Sequence, residues 1–253
     1  LNLILNLNNI MLLAIDIGNT NINFGIFNGP KLVKKFFIST KDYSVRRLKG
    51  KLGNYPIGES IIASVVPCAC RILEKDLKAL FKRQPYVLGK NITVPILNLY
   101  RKPGKVGQDR LANAYAGVML YGTPLVLVDF GTAITIDVIS RKKEYLGGLI
   151  IPGFELSLAA LAEHTALLPR IKLDNPKELI GRDTENSILS GIVYGFTALV
   201  DNLVVRIKYI IGKNAKVIAT GGDSGLILRY SKRIDKIDKD LTLKGLNIIF
   251  RAL

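Results

Sequence analysis

One pattern of apolar and polar positions occurs twice along this chain. Four apolar residues, an Asp, one more apolar residue and a Gly run from Leu12 to Gly18, and the same order returns from Leu125 to Gly131. After each copy the pattern alternates. Ile22, Phe24 and Ile26 interleave with polar or glycine positions, as Ile134, Ile136 and Val138 do with Thr135 and Asp137. Period two is the signature of a half-buried strand, so each copy predicts a strand, a tight turn and an antiparallel return strand. Asp16 and Asp129 stand 113 residues apart, which implies two related halves.

The remaining pattern fills in around these hairpins. A third strand is predicted near Lys34 to Ser39, and a buried strand over Ile61 to Val66, closed by Pro67. Leu73, Leu77, Leu80 and Phe81 have helical spacing, which predicts a helix from Ile72 to Lys82. Short strands are expected at Tyr86 to Leu88 and Thr93 to Leu97. The run from Tyr100 to Arg110 is a loop by its Pro and Gly content, followed by an Ala-rich helix from Leu111 to Leu120. In the second half Gly147 to Gly153 predicts a strand leading into a helix over Phe154 to Leu167. A second helix covers Asp183 to Ile211 after a polar link, and Val217 to Ala219 forms a last strand ending in Thr220-Gly221-Gly222. The segment Asp42 to Glu59 is short and Lys/Gly-rich, so any peripheral helix there is expected to be trimmed. Strands and helices mixed in two matching halves make an α/β protein with a central cleft.

Composition narrows the class. At 253 residues and 49% apolar the chain can bury one large core or two smaller ones. No run reaches 18 uninterrupted apolar residues, so no transmembrane helix is expected. The first ten residues, apolar and Asn-rich, lack a basic region and a cleavage site and read as an extension or short tail rather than a signal peptide. Cys68 and Cys70 are the only cysteines and are expected to be reduced and inert. His164 is the only histidine, which excludes a His/Cys zinc site and leaves it a structural or surface role. For the same reason Gly222-Asp223-Ser224-Gly225 does not make a serine-protease nucleophile loop. The net charge of +16 is carried by Lys and Arg spread from Lys31 to Arg251, without an aromatic RNA-binding signature. It reads as a solvated basic surface that would help steer anionic small molecules, with neither nucleic acid nor membrane as a partner.

A strand ending in Asp and a Gly-containing turn leave backbone N–H groups, hydroxyls and one carboxylate facing outward. That set suits a phosphate and its Mg²⁺, because Gly permits close approach and a carboxylate is a hard oxygen ligand. An isolated Asp-x-Gly also makes ordinary turns; duplication is what raises its weight. Neither a Walker-type loop nor a strand followed by G-x-G-x-x-G is present, so a phosphate site would be built from the hairpins.

Nine ordered motifs carry a resemblance: DIGNT at Asp16, SVVP at Ser64, GQDR at Gly107, DFGTA at Asp129, GGLIIPG at Gly147, TALLP at Thr165, GRDT at Gly181, TGG at Thr220 and DLTLKGL at Asp240. From Met11 to its end the chain resembles the acetate and sugar kinase, Hsp70 and actin superfamily, and within it the type III pantothenate kinases. The resemblance implies two duplicated ribonuclease-H-like domains flanking a nucleotide cleft, residues 1–118 and 119–253. It implies ATP-dependent phosphorylation of pantothenate to 4′-phosphopantothenate, the first step of coenzyme A synthesis, in the cytoplasm. By resemblance ATP with Mg²⁺ is held by Asp16, Ile17, Gly18, Asn19, Thr20, Asn21, Ile22 and Asn23, with Asp16 near the metal and Thr132 on the phosphates. The resemblance also implies a monovalent cation, K⁺ or NH₄⁺, at Asp129, and pantothenate held by Tyr100, Gly107, Gln108, Asp109, Arg110 and Thr184 in a site completed across a homodimer interface.

Asp109 becomes the general base, expected to stay ionised beside Arg110. Other roles compete: Tyr100 as a half-buried aromatic, Asp109 as a helix-terminal acid, Thr184 or Ser187 as a helix cap, Asp129 as a turn residue. Three functional alternatives also remain, a catalytically silent regulatory relative, a kinase for another small alcohol, and nucleic-acid binding driven by charge with little sequence preference.

Overall fold

The computed structural model describes residues 10–253; the expected N-terminal tail, residues 1–9, lies outside the described residues. The chain forms two compact units. Unit 1 comprises residues up to Ile96, Arg101–Ala116 and Leu241–Leu253, and unit 2 comprises Leu97–Tyr100 and Gly117–Asp240.

In unit 1 the first motif folds as read. β1 (Met11–Ile17), β2 (Asn21–Asn28) and β3 (Lys31–Ser39) are antiparallel, and β4 (Ile57–Ser64) and β5 (Tyr86–Val87) add in parallel, giving the order β3-β2-β1-β4-β5. Both sheet faces are covered. On one, Ile15, Ile22 and Phe24 pack under α1 (Val45–Leu52) and α2 (Pro67–Phe81) through Leu48, Leu52, Leu73 and Leu77. Phe24 also stacks on Phe36, with centroids 4.8 Å apart. Emptying such a site to Ala costs about 3–5 kcal/mol. On the other face Leu12, Ala14, Phe27 and Ile61 meet Ala112 of α3 (Gln108–Tyr121) and the chain's last helix.

Unit 2 repeats the scheme. β6 (Leu97–Asn98), β7 (Leu125–Phe130), β8 (Ala133–Ile139), β9 (Glu144–Pro152), β10 (Lys216–Thr220) and β11 (Lys236–Ile237) take the order β11-β10-β7-β8-β9-β6. β9-β8-β7 is antiparallel and β10 and β11 continue in parallel, so unit 2 reproduces the order of unit 1 with β6 added at one edge. α4 (Phe154–His164) and α5 (Thr184–Ile211) cover it, with Phe154, Leu158, Ile192, Val200 and Val204 against Val126, Val128, Ile134 and Ile136. Among the described residues α5, with 28 residues and an 18-residue stretch of mean hydropathy 1.7, has the length and apolarity to cross a membrane, yet one face of it is core in unit 2.

Several expectations need correction. The strand expected at Thr93 to Leu97 shrinks to Leu97–Asn98, because Pro95 offers no N–H and Ile96 N–H closes onto Val94 O. α4 stops at His164, where Thr165 turns extended and its hydroxyl caps Leu161 O at 2.8 Å. Asp42 to Glu59 retains the two-turn α1, capped by Ser44 at its start and closed by Gly53 at φ +65. The terminal DLTLKGL builds α7 (Leu241–Arg251), which follows the short α6 (Ser224–Ile227) and packs in unit 1. Gly245 makes this possible, since a Cβ there would meet Ala112 O at 2.5 Å. The compact units therefore differ from a single cut near residue 118.

Candidate active site

In unit 1 Asp16 is half-buried at the end of β1, after four buried residues and before buried Ile17. The chain turns through Gly18, Asn19 and Thr20, with Gly18 N–H donating to Asn21 O at 2.9 Å. Thr40, which the sequence did not single out, braces this turn: its hydroxyl donates to Gly18 O at 2.8 Å and its N–H to Thr20 O at 2.9 Å. Asn23, opposite Asp16 in the ladder, donates its amide to Asp16 Oδ2 at 3.3 Å. Ile17 and Ile22 are fully buried and contribute backbone only, whereas Asn19 and Thr20 are exposed. The SVVP segment arrives alongside, with Val65 N–H on Ile17 O at 3.1 Å.

GQDR opens α3. Asp109 lies in its first turn, with Oδ1 accepting the Arg110 backbone N–H at 2.9 Å. A Cβ on Gly107 would strike Asp109 Oδ1, so this glycine allows the carboxylate to fold back over the helix start. Asp109, read from a separate motif, thereby lies near enough for its charge to act on Asp16. Burial, and then the charge of Asp109, push Asp16 up to about 7, against the amide of Asn23. Burial raises the pKa of Asp109, and the Arg110 N–H and guanidinium oppose this without reversing it.

These residues fit a divalent cation held jointly with phosphates. Among the described residues no cluster of three or more His, Cys, Asp or Glu side chains is present, and Mg²⁺ commonly takes only one or two protein carboxylates with phosphate oxygens. The mutual repulsion of Asp16 and Asp109 is what a cation beside Asp16 would relieve.

In unit 2 Asp129 occupies the equivalent place on β7, again half-buried after four buried residues. Its turn is shorter, Gly131 and Thr132 only, with Gly131 N–H reaching Ala133 O at 3.3 Å and Thr132 exposed. Two other glycines press on this turn. Gly153 N–H donates to Thr132 O at 3.0 Å, and a Cβ there would meet the Gly131 and Thr132 carbonyls. Gly221, at φ +91, lies so close that a Cβ would strike Phe130 O and Asp129 Oδ1. The Thr220-Gly221-Gly222 turn is thus built against the Asp129 hairpin, and beside Gly222 there is open space for a flat ring.

Tyr100 is also in unit 2, its ring over Gly147, where φ is +118. Thr184 is not the cap of α5: Asp183 is, accepting the Asn186 N–H at 2.7 Å and the Asn186 amide at 2.6 Å. The Thr184 hydroxyl is free of that duty and lines a groove of about 670 Å³ with Leu161, Arg182, Ser187, Ile188 and Gly191. Ser224 is fully buried with its hydroxyl on Gly221 O at 2.7 Å, and the Cys70 thiol is pushed up to about 11 by burial and by Glu74; neither is a nucleophile. His164 is exposed at the end of α4.

The model of the family described as type III pantothenate kinase matches residues 12–206. A type III pantothenate kinase of Geotalea daltonii is 41% identical over 95% of this chain and 98% of its own. Among solved structures, a protein described as a conserved Baf family transcriptional activator of Campylobacter jejuni superposes with a TM-score of 0.62 at 24% identity, over 95% of this chain and 98% of that one. Component A of the (R)-2-hydroxyglutaryl-CoA dehydratase of Acidaminococcus fermentans follows at 0.54 and 12%, over 94% and 95%. These two report the fold, a mixed α/β arrangement of two related sheets. The end-to-end identity and the match over both hairpins, GQDR and the start of α5 carry more: the chain belongs to the type III pantothenate kinase family.

Proposed function

We infer that this chain transfers the γ-phosphoryl group of ATP to the primary hydroxyl of pantothenate, with Asp109 as general base. As a member of its family the chain is a kinase acting on pantothenate, and a kinase of this kind uses ATP with a divalent cation. The observation that carries the mechanism is the placing of Asp109 in the first turn of α3, folded back against Gly107, with its charge acting on Asp16 at the end of β1. A carboxylate whose pKa is raised by burial is a stronger base than an ordinary aspartate. With Oδ1 accepting the Arg110 N–H, Oδ2 takes the hydroxyl proton as that oxygen attacks phosphorus. Mg²⁺ bound near Asp16 with the phosphates supplies charge neutralisation.

The hairpin from Asp16 through Ile17, Gly18, Asn19, Thr20, Asn21 and Ile22 to Asn23 presents backbone and polar groups to the nucleotide. In unit 2 Thr132 serves a phosphate and Asp129 a monovalent cation, K⁺ or NH₄⁺. Gly107, Gln108 and Arg110 position pantothenate beside Asp109, with Tyr100 and Thr184 as further contacts. Support for a homodimer comes from the surroundings of Thr184, where Leu167, Leu179 and Ile180 are 91%, 63% and 79% exposed, an apolar surface that a second copy would cover. The setting proposed is cytoplasmic.

The experiment is ATP turnover with Mg²⁺, with and without pantothenate, in potassium and in sodium buffer. Pantothenate-dependent turnover favoured by potassium is expected. Folded protein that binds ATP and turns over none with pantothenate would transfer the reading to a silent regulator or to a kinase for another alcohol.

A further inference from the structure

The excess positive charge looks dispersed along the chain, yet the fold gathers it. Unit 1 carries 20 Lys and Arg against 6 Asp and Glu, whereas unit 2 carries 16 against 14. Within unit 1 four of the six carboxylates are engaged or withdrawn from solvent, and Asp42 is the exposed one. Asp16 and Asp109 belong to the site, Glu74 is 9% exposed and bonded by Lys90 at 2.6 Å, and Asp76 accepts the Tyr43 hydroxyl at 2.9 Å.

The cations collect on one surface. α1 and α2 lie on the same sheet face, their apolar sides turned into it. On the outer side of α2, Arg71, Lys75 and Lys78 follow one another at helical spacing and Lys82 closes the helix, all four exposed. α1 adds Arg46, Arg47, Lys49 and Lys51, also exposed, of which Arg47 pairs with Asp42 at 3.6 Å. Neither helix has an exposed carboxylate. Like charges three or four residues apart repel by about 0.2–0.5 kcal/mol per pair. An ordinary solvated helix alternates signs; here Glu74 is buried, Asp76 half-buried and Asp42 the one exposed partner, so the exposed cations keep most of this repulsion, and a polyanion relieves it.

We propose that the outer face of α1 and α2 binds the phosphate backbone of double-stranded nucleic acid without reading its bases. From Arg71 to Lys82 the α2 stripe spans about 16 Å, roughly the rise of four to five base pairs. No aromatic side chain is exposed on either helix, so stacking of single-stranded bases is not provided for. Insertion into a bilayer is not provided for either: Leu48, Leu52, Leu73 and Leu77 are buried, and Ile72 is the one large aliphatic side chain of the two helices that stands exposed.

The test uses the whole protein and fluorescence anisotropy with two short DNA duplexes of unrelated sequence, from about 50 mM to about 200 mM salt. Equal affinity for both is expected, falling by about 10²-fold or more over that range. Arg71→Gln/Lys75→Gln/Lys78→Gln should lose about 10-fold at low salt and make the slope of log K against log salt shallower by about 2.7, at about 0.9 per phosphate. Its pantothenate kinase turnover should be unchanged, which also reports its folding. Arg46→Gln/Lys49→Gln on α1 should give a smaller loss of the same kind and stands in if the triple variant does not fold. Absence of duplex binding at about 50 mM salt, binding whose salt slope neither variant alters, or stronger binding to anionic phospholipid vesicles than to duplex would each overturn the proposal.

Discussion

The two hairpins begin as the same device and end as different ones. In β1 and in β7 four buried residues lead to a half-buried Asp and one more buried residue. The first turn has three residues and is braced from outside by Thr40; the second has two and is pressed by Gly153 and Gly221. Burial, and then the charge of Asp109, pushes Asp16 up to about 7, while Asp129 has the backbone of Gly221 against it. Duplication thus supplied two outward carboxylates, and what packs beside each one sets its chemistry. A carboxylate strained by a like charge suits a divalent cation and proton transfer; one hemmed in by main chain suits a weaker, oxygen-ligated role.

The largest effect should come from removing the group that makes unit 1 different. Asp109→Asn keeps the shape of the helix start and removes the base, so turnover should fall by about 10² to 10⁴-fold with the melting temperature preserved. Unchanged turnover would strike Asp109 from the mechanism and leave the two hairpins chemically alike.

Next in size is the packing against the second hairpin. Gly221→Ala places a Cβ on Phe130 O and Asp129 Oδ1 at φ +91, so the main chain must move. Destabilisation of about 1–3 kcal/mol is expected in chemical denaturation, together with loss of any potassium preference. A variant with native stability and cation response would mean that Gly221 does not fix Asp129.

Period-two alternation and the repeated Asp-x-Gly make both hairpins legible in the amino-acid sequence. The rest depends on contacts that no local pattern records. The terminal DLTLKGL stands in the sequence only as a motif, and it is the approach of Gly245 to Ala112 that assigns the helix it builds, α7, to unit 1. Thr40 is one polar residue among many until β3 brings it under Gly18. Arg110 next to Asp109 suggests a lowered pKa, because adjacency in sequence is visible and desolvation is not; in the fold, burial wins. Thr184 resembles a cap because Asp183, one residue earlier, competes for the same place and holds it.

A subtler difference lies in proton linkage. Asp16 titrates at about 7 in the folded, ligand-free protein against 3.8 ordinarily, so the folded state favours its protonated form. Its contribution to stability is therefore fully present below about pH 4 and lost as pH rises through about 7. Asp16→Asn cannot titrate, and its melting temperature should decline less than that of the wild type over this interval. Parallel curves for the two proteins would show that neither burial nor the charge of Asp109 raises Asp16 in the free protein.

The smallest effects concern the glycines inside the two turns, and they separate folding from ligand approach. A Cβ on Gly18 would lie 3.1 Å from Asn21 O, whereas on Gly131 it would lie 3.7 Å from Ala133 O and 3.8 Å from Asp129 Oδ1, an ordinary contact. Neither residue has a positive φ. Gly131→Ala should therefore match the wild type in stability or exceed it by up to about 1 kcal/mol, since it restricts the unfolded chain, and Gly18→Ala should fall slightly below. If phosphates approach the backbone of the second turn, Gly131→Ala should still raise the KM for ATP by about 10-fold, because the added methyl group occupies space that the folded chain leaves open and the nucleotide needs. A stable Gly131→Ala enzyme with unaltered KM would mean that the second turn never meets the nucleotide, and would confine phosphate binding to the hairpin of unit 1.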